Sequence, residues 1–176
     1  MEKILIVVDM QKDFVDGALG TKEAVKIVDN VVKKIESSNC DIIVTYDTHP
    51  ENYMETQEGR YLPVAHCIKG TDGWKLDAKV QNALNNKPYT SIEKPTFGSI
   101  ELPQYIKSHY NTEELEIELV GLCTDICVVS NALLLKANFL NAVISVDSTC
   151  CAGVTPESHN AALTTMKMCQ INVMSE

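Results

Sequence analysis

Short apolar runs, most of which end at a polar residue or a glycine, restrict the possible folds of this chain more than any other feature. The first run, Ile4–Val8, contains no polar residue and ends at Asp9. A run without polar alternation is typical of a strand that is buried on both faces, as in a parallel sheet. The other segments that we predict to be strands are 41–47, 91–94, 115–121, 142–147 and 171–174.

Helical patterns separate these predicted strands. Residues 124–138 are apolar nearly all round, which predicts a deeply packed helix. Residues 155–157, Thr-Pro-Glu, are typical of a helix start, with a cap, a proline and an acidic first turn. Apolar residues also recur at helical spacing at Ala24, Val28, Val31, Val32 and Ile35. Strands that alternate with helices predict an α/β protein whose parallel sheet is covered by helices on both faces.

The composition suits one folded unit. The chain has 176 residues, 45% of them hydrophobic, which is enough for one core. It contains no repeat, linker or low-complexity segment, so we expect a single domain over residues 1–176. The net charge of −9 repels phosphate groups. We therefore expect no nucleic-acid partner and no binding to an anionic membrane.

The same sequence favours a cytoplasmic location. No apolar run approaches the roughly 20 residues of a membrane span. The first residues also lack the features of a secretory leader. In a reducing compartment the seven cysteines should be free thiols, most of which fill the core.

Polar residues follow several of the predicted strands. Asp9, Asp47 and Lys94 lie at strand ends, and Gly121 ends a fourth strand. In open parallel sheets, ligands bind beyond the carboxyl ends of the strands, so these residues should meet at one edge. An aspartyl nucleophile of the haloacid-dehalogenase type would need a second aspartate where this chain has Gln11. No glycine-rich phosphate loop follows the first strand either.

Cys127 is the candidate nucleophile. A strand ends at Gly121 and a helix begins near Thr124, which puts Cys127 in the first helical turn. Amide dipoles at that position stabilise a thiolate and should lower the pKa of the thiol, and a nearby Lys94 should lower it further. Backbone N–H groups of the same turn could form an oxyanion hole. Cys123 is better interpreted as a wall residue than as a second nucleophile.

A second group of residues suits a metal ion. Asp47 and His49 are two apart on a strand and therefore share a face. His66 follows across the irregular stretch 49–71, and irregular stretches of that length are usually functional. One aspartate and two histidines suit Zn²⁺, Mn²⁺ or Fe²⁺, with positions left for water or substrate. Glu58, between the histidines, is a candidate fourth ligand.

The chain resembles the isochorismatase-like cysteine hydrolases over essentially its whole length, and within them the nicotinamidase branch. The matching segments are Val8–Phe14, Asp47–Pro50, His66, Lys94 and Gly121–Val128. The resemblance implies a three-layer α/β/α fold with a six-stranded parallel sheet. It also implies a catalytic triad of Asp9, Lys94 and Cys127. It further implies a metal site whose ligands are Asp47, His49 and His66. The implied cofactor is a divalent metal, zinc first, with manganese or iron as alternatives.

The resemblance makes further statements about the substrate. It implies that Phe14 stacks on the substrate ring, and that a cis bond between Leu122 and Cys123 turns the Cys123 amide, with that of Cys127, toward an oxyanion. The implied reaction releases ammonia from nicotinamide, a small amide, to give nicotinate. Homo-oligomers are expected by analogy with the family.

The sequence departs from the family pattern where the substrate would lie. Thr48 stands where the family usually has tryptophan in Asp-Trp-His-Pro. The aromatic residue usual before the third metal ligand has no clear counterpart, although Tyr61 and Trp74 are candidates. These departures affect the identity of the substrate more than the chemistry.

Three alternatives remain open. A related cysteine hydrolase that acts on another small amide, carbamoyl or ureido compound would keep the triad without needing the metal. Isochorismatase-type hydrolysis of a vinyl ether needs an acid rather than a thiol, which would leave Cys127 without a purpose. A non-enzymatic metal-binding or thiol-redox module would need two thiols at bonding distance. Cys123 and Cys127 are four residues apart, and the adjacent pair Cys150-Cys151 would bridge only with strain.

Overall fold

A computed structural model describes residues 2–175 of the chain. Over these residues, six parallel strands form one sheet in the order β3-β2-β1-β4-β5-β6. The strands are β1 (Glu2–Val8), β2 (Asp41–Asp47), β3 (Tyr89–Lys94), β4 (Leu115–Leu122), β5 (Val143–Ala152) and β6 (Asn172–Met174). The predicted α/β class and parallel sheet are confirmed.

The described residues also form seven α-helices. They are α1 (Lys12–Val15), α2 (Lys22–Ser37), α3 (Gln57–Tyr61), α4 (Ala78–Leu84), α5 (Glu101–His109), α6 (Val129–Asn138) and α7 (Pro156–Met168). A 3₁₀ turn, Tyr53–Glu55, precedes α3, and a π-helical turn, Thr124–Val128, precedes α6. The predicted start of α7 is confirmed, because the Thr155 side chain accepts a hydrogen bond from the Ser158 N–H. None of the helices in residues 2–175 has the length and apolar character that a bilayer crossing requires.

The two faces of the sheet each carry a hydrophobic core. Leu5 and Val7 of β1 pack with α2 and α4, whereas Ile4 and Ile6 point to the other face, where α5, α6 and α7 pack. All four side chains are buried. This alternation along a fully buried strand produces three layers, as the resemblance implies.

Strand β5 is longer than predicted. The sequence places its end at Asp147, because the polar residues that follow break the apolar pattern, but the strand continues to Ala152. After an irregularity in the pairing, Gly121 pairs with Cys151 and Leu122 with Ala152. Pairing with β4, rather than apolar pattern, therefore determines where β5 ends.

The order of the strands places a crevice between β1 and β4. The chain leaves β1 toward the face covered by α2 and leaves β4 toward the face covered by α6. Strand connections that diverge to opposite faces open a crevice at the carboxyl ends, where ligands of such sheets bind. The segments that carry Asp9 and Cys127 border this crevice.

Candidate active site

Asp9, Lys94 and Cys127 come together at the carboxyl edge of the sheet. The Lys94 Nζ atom lies 2.6 Å from Asp9 Oδ2 and 3.4 Å from Cys127 Sγ. The side chains of Asp9 and Lys94 are fully buried, and Cys127 is 4% exposed. Thr45 of β2 donates a hydrogen bond of 2.6 Å to the second carboxylate oxygen of Asp9. The three groups predicted to work together are thus in mutual reach.

Backbone geometry directs Asp9 and Cys127 toward each other. Asp9 has a φ of 47°, in the left-handed region that aspartate tolerates better than most residues. Gly121 has a φ of 116°, and a Cβ atom there would collide with the carbonyl oxygen of Val8. Only glycine allows this close approach of β4 to β1, which brings the turn with Cys127 beside Asp9.

The π-helical turn after β4 carries Cys127. Cys123 precedes the turn, and its carbonyl accepts hydrogen bonds from the N–H groups of Ile126 and Val128, at 3.1 and 3.0 Å. The peptide bond between Leu122 and Cys123 is cis, as the resemblance implies.

Lys94 connects this site to a second carboxylate. Its ammonium lies 3.2 Å from Asp47 Oδ1 and donates a hydrogen bond of 3.0 Å to the Thr96 carbonyl. Burial lowers the pKa of Lys94, but Asp9, Cys127 and Asp47 raise it above the ordinary lysine value. The side chain is therefore a fixed cation between two carboxylates.

The electrostatics of Cys127 differ from the sequence prediction. Burial raises the pKa of the thiol well above its usual range, and the Asp9 carboxylate raises it further, although Lys94 lowers it. Lys94 thus acts in the expected direction, but the expectation that the pKa is lowered overall is wrong, because burial and the carboxylates outweigh the lysine. Burial likewise raises the pKa of Asp9, although Lys94 opposes this shift.

Asp47, His49 and His66 form a second buried group, which we call the ligand cluster. Their ligand atoms lie within 4.8 Å of one another. Asp47 Oδ2 is 2.9 Å from His49 Nε2 and 3.6 Å from His66 Nε2. Glu58 lies at the rim, 19% exposed, with Oε1 at 3.7 and 3.9 Å from the same two nitrogens.

The ligand cluster fits a divalent metal. Ligands at 2.0–2.2 Å in a tetrahedral site are roughly 3.3–3.6 Å apart. The Asp47 oxygen lies 2.9 and 3.6 Å from the two histidine nitrogens, so small shifts of the side chains would bring the donors to such distances. The Nδ1–H of His66 donates a 2.8 Å hydrogen bond to the Val64 carbonyl, so the Nε2 lone pair of the neutral ring faces carboxylate oxygens. The lone pair and the carboxylate oxygens repel each other, and a cation bound between them would remove this repulsion. Burial raises the pKa of Asp47, but the hydrogen bond from His49 and the positive charge of Lys94 lower it below its usual range.

Comparison with known proteins identifies the family. A model of the isochorismatase domain matches residues 3–176. The chain belongs to the isochorismatase family. It is similar to the nicotinamidase of Saccharomyces cerevisiae, at 23% identity over 99% of this chain and 100% of the relative. It is also 29% identical to an uncharacterized isochorismatase family protein of Bacillus subtilis, PncA, over 76% of this chain and 78% of that protein.

Solved structures agree with this assignment. The nicotinamidase/pyrazinamidase PncA of Bacillus subtilis superposes with a TM-score of 0.85 at 26% identity, over 99% of this chain and 100% of that one. A pyrazinamidase of Pyrococcus horikoshii in complex with zinc gives a TM-score of 0.80 at 26% identity, with 100% of both chains covered. The fold is therefore that of isochorismatase-like nicotinamidases.

Aromatic residues of this isochorismatase family member differ in their relation to the site. The ring of Phe14 lies 5.5 Å from that of His66, between centroids. Trp74 instead packs on Tyr46 and donates a hydrogen bond of 2.9 Å to Thr48, whereas Tyr61 is 84% exposed. Trp74 thus contacts the residue that departs from the family pattern.

Sequence reasoning missed two residues beside the ligand cluster. Tyr53 is fully buried and packs edge-on against the rings of His49 and His66, at centroid distances of 4.8 and 5.0 Å. Gln11 is fully buried and bonds to the backbone of Asp47. For Tyr53, the available signal was its spacing of four residues after His49. For Gln11, the signal was a polar residue just after a buried strand.

Proposed function

We propose that the protein is a nicotinamidase-type amide hydrolase that converts nicotinamide into nicotinate and ammonia. Membership of the family and the similarity to nicotinamidases indicate an amide hydrolase. The observation that carries the proposal is the buried Lys94 ammonium, which contacts the carboxylate of Asp9 and the sulfur of Cys127 beside a group of metal-type ligands.

In the proposed mechanism, Cys127 Sγ attacks the amide carbonyl while Asp9 takes the thiol proton. The raised pKa of Cys127 implies that the thiol is protonated before attack, so a base must act during this step. Asp9 suits this role because its own pKa is raised, which makes it a stronger base. Lys94 holds the carboxylate and the sulfur together.

The remaining steps use the same groups. The tetrahedral intermediate breaks its C–N bond, and Asp9 gives its proton to the departing ammonia. Water then attacks the thioester, with Asp9 again as the base, and nicotinate and the free thiol are formed. The backbone N–H groups of Cys123 and Cys127 are the proposed donors to the oxyanion of both intermediates.

The ligand cluster is the proposed binding site for a divalent metal. Bound at Asp47, His49 and His66, a metal such as zinc supplies a Lewis-acidic centre for the ring nitrogen of nicotinamide. Zinc is the first choice because the similar pyrazinamidase of Pyrococcus horikoshii was solved with zinc, and manganese and iron also suit these ligands. Phe14, which packs against the His66 ring, offers an aromatic face to the substrate ring.

Ammonia release from nicotinamide tests the proposal. Wild-type protein loaded with zinc should release ammonia, and the Cys127→Ala variant should lose at least about 10³-fold in kcat. Cys150→Ala is the matched control, since Cys150 is also a buried thiol but lies in β5 with neighbours outside the site. Inactivity of the wild type would refute the substrate, and an active Cys127→Ala variant would refute the nucleophile.

A second candidate is a cysteine hydrolase that acts on another small amide, carbamoyl or ureido compound. Thr48 favours keeping this candidate, because it replaces the usual tryptophan next to the ligand cluster and is hydrogen-bonded to Trp74. Removal of metal with a chelator separates the two candidates. Nicotinamide turnover should be lost and then restored by zinc, whereas a hydrolase without need of the metal would keep its activity.

A further inference from the structure

We propose that Gln11 and Asp13, in the turn after β1, are positioning residues that hold the ligand cluster in the geometry required for metal binding. This inference rests on the metal site of the proposed function. Neither residue belongs to the cluster itself.

Gln11 replaces a missing strand at the end of β2. Pairing between β1 and β2 stops at Val8 and Thr45, because the chain turns away at Asp9. The next backbone groups of β2 on that side belong to Asp47. The Gln11 side chain satisfies both of them, since its Oε1 accepts the Asp47 N–H at 2.7 Å and its Nε2 donates to the Asp47 carbonyl at 2.8 Å.

All hydrogen bonds of the Gln11 side-chain amide are to backbone groups. Its Nε2 also donates to the Trp74 carbonyl, at 2.8 Å, and the side chain has no exposed surface. Truncation would leave the buried N–H and C=O groups of Asp47 without hydrogen-bond partners, which is unfavourable for buried polar groups. The end of β2 would move to recover partners, and the Asp47 carboxylate would move with it.

Asp13 holds the segment that carries His66. The Asp13 Oδ2 atom accepts a hydrogen bond of 2.8 Å from the N–H of Cys67, which directly follows His66 in the sequence. Cys67 has a φ of 46°, and its carbonyl accepts the His49 N–H at 3.0 Å. One carboxylate therefore fixes the backbone beside one histidine and, through Cys67, beside the other.

Metal affinity depends on such contacts because ligand atoms must lie within about 0.2 Å of their required places. Loss of residues that orient the ligands typically lowers metal affinity 10- to 100-fold. Gln11 acts on Asp47, and Asp13 acts on the two histidines. Together they connect every member of the ligand cluster to one short turn.

The test is the zinc affinity of Gln11→Met and Asn131→Leu, measured by competition with a chromophoric chelator. Asn131 is a matched control: it is also a fully buried side-chain amide with three backbone hydrogen bonds, to Ser99 N–H, the Phe97 carbonyl and the Cys127 carbonyl. Both substitutions nearly keep side-chain size and remove three hydrogen bonds. Gln11→Met should lose roughly 10- to 100-fold in zinc affinity, and Asn131→Leu about threefold or less, at similar losses of thermal stability.

A graded pair of variants tests Asp13 and covers the case in which Gln11→Met does not fold. Asp13→Ala should lose about tenfold or more in zinc affinity. Asp13→Asn retains one acceptor oxygen for the Cys67 N–H and should recover most of the affinity. Equal zinc affinities of Asp13→Ala and Asp13→Asn would contradict the positioning role.

The remaining outcomes separate this inference from the proposed function. Zinc binding by the wild type that Gln11→Met leaves unchanged, or that Asn131→Leu weakens equally, would overturn the inference alone. Absence of zinc binding by the wild type would overturn the inference together with the metal site of the proposed function, while ammonia release would still test Cys127 separately.

Discussion

The two halves of the candidate site are built in different ways. One half holds Asp9 and Cys127, and we call it the nucleophile half after the proposed role of Cys127. It is shaped by the backbone, through the left-handed residue after β1, the close contact at Gly121 and the π-helical turn. The ligand cluster is shaped by single side chains, because Gln11 and Asp13 bond to the backbone beside its members. A backbone-built site should tolerate distant side-chain changes, whereas a site held by side chains should fail when one of them is lost.

Lys94 is where this distinction should break down, because it contacts both halves. Lys94→Ala should lower kcat/KM at least about 10³-fold, since both Asp9 and Asp47 lose a buried cationic partner. The free energy of unfolding should fall by about 3–5 kcal/mol for the same reason. Lys69→Ala is the control, because Lys69 pairs with Glu93 on the surface at 2.6 Å. Steady-state kinetics and urea denaturation measure both effects, and near-normal activity of Lys94→Ala would contradict the bridging role.

Histidine removal should damage the ligand cluster alone. His66→Ala should lower zinc affinity roughly 10²- to 10³-fold, because it removes one of three buried ligands. Glu58→Ala should lose about tenfold or less, since Glu58 lies at the rim of the cluster, partly exposed. Chelator competition measures both affinities. Equal losses would make Glu58 a full ligand and would move the boundary of the cluster.

Gly121→Ala should damage the nucleophile half alone. The added methyl group would collide with the Val8 carbonyl at a φ of 116°, so Cys127 should move away from Asp9. We expect kcat to fall about 10- to 100-fold, as misplacement of reacting groups by about 1 Å typically does. Gly70→Ala is the control, because Gly70 also has a positive φ, 85°, but open space around the added methyl group. Zinc affinity should be unchanged in both variants, and a loss in Gly121→Ala would show that the halves are not separate.

Thr45→Val should have the smallest effect. The hydroxyl group of Thr45 donates to Asp9 and lowers the pKa of that carboxyl, against the larger upward effect of burial. Without the hydroxyl group the pKa of Asp9 rises, so the base is lost at higher pH as the solution is acidified. The acid limb of kcat/KM against pH should move to higher pH. Thr90→Val, a similar change on β3, should leave the profile in place, and a downward shift in Thr45→Val would contradict the assignment of the limb to Asp9.

The sequence predicted the strands and their common edge well, for a physical reason. Buried parallel strands leave apolar runs whose ends are marked by polar residues, and the carboxyl ends of parallel strands lie at one edge. Asp9, Asp47 and Lys94 could therefore be placed together without coordinates. The helices α1, α3, α4 and α5 escaped prediction. None of them is longer than nine residues, and so short a helix depends on packing rather than on propensity.

The contacts made by Gln11 could not be predicted, because its partners Asp47 and Trp74 follow it in the sequence by 36 and 63 positions. The pKa of Cys127 was predicted in the wrong direction, because a local pattern reports the helical turn but not the burial or the carboxylates around the sulfur. Local sequence thus predicts which groups meet, while long-range contacts determine their charge and rigidity.

Lys94 also imposes a thermodynamic reciprocity. The Lys94 ammonium contacts two carboxylates and a sulfur. The negative charge of Asp47 partly cancels the positive potential that Lys94 produces at Asp9 and Cys127, so a change of charge at Asp47 changes that potential. A cation that neutralises Asp47 makes the potential at the Cys127 sulfur more positive and so favours loss of the thiol proton. By linkage, deprotonation of the sulfur must then strengthen the binding of the cation by the same factor.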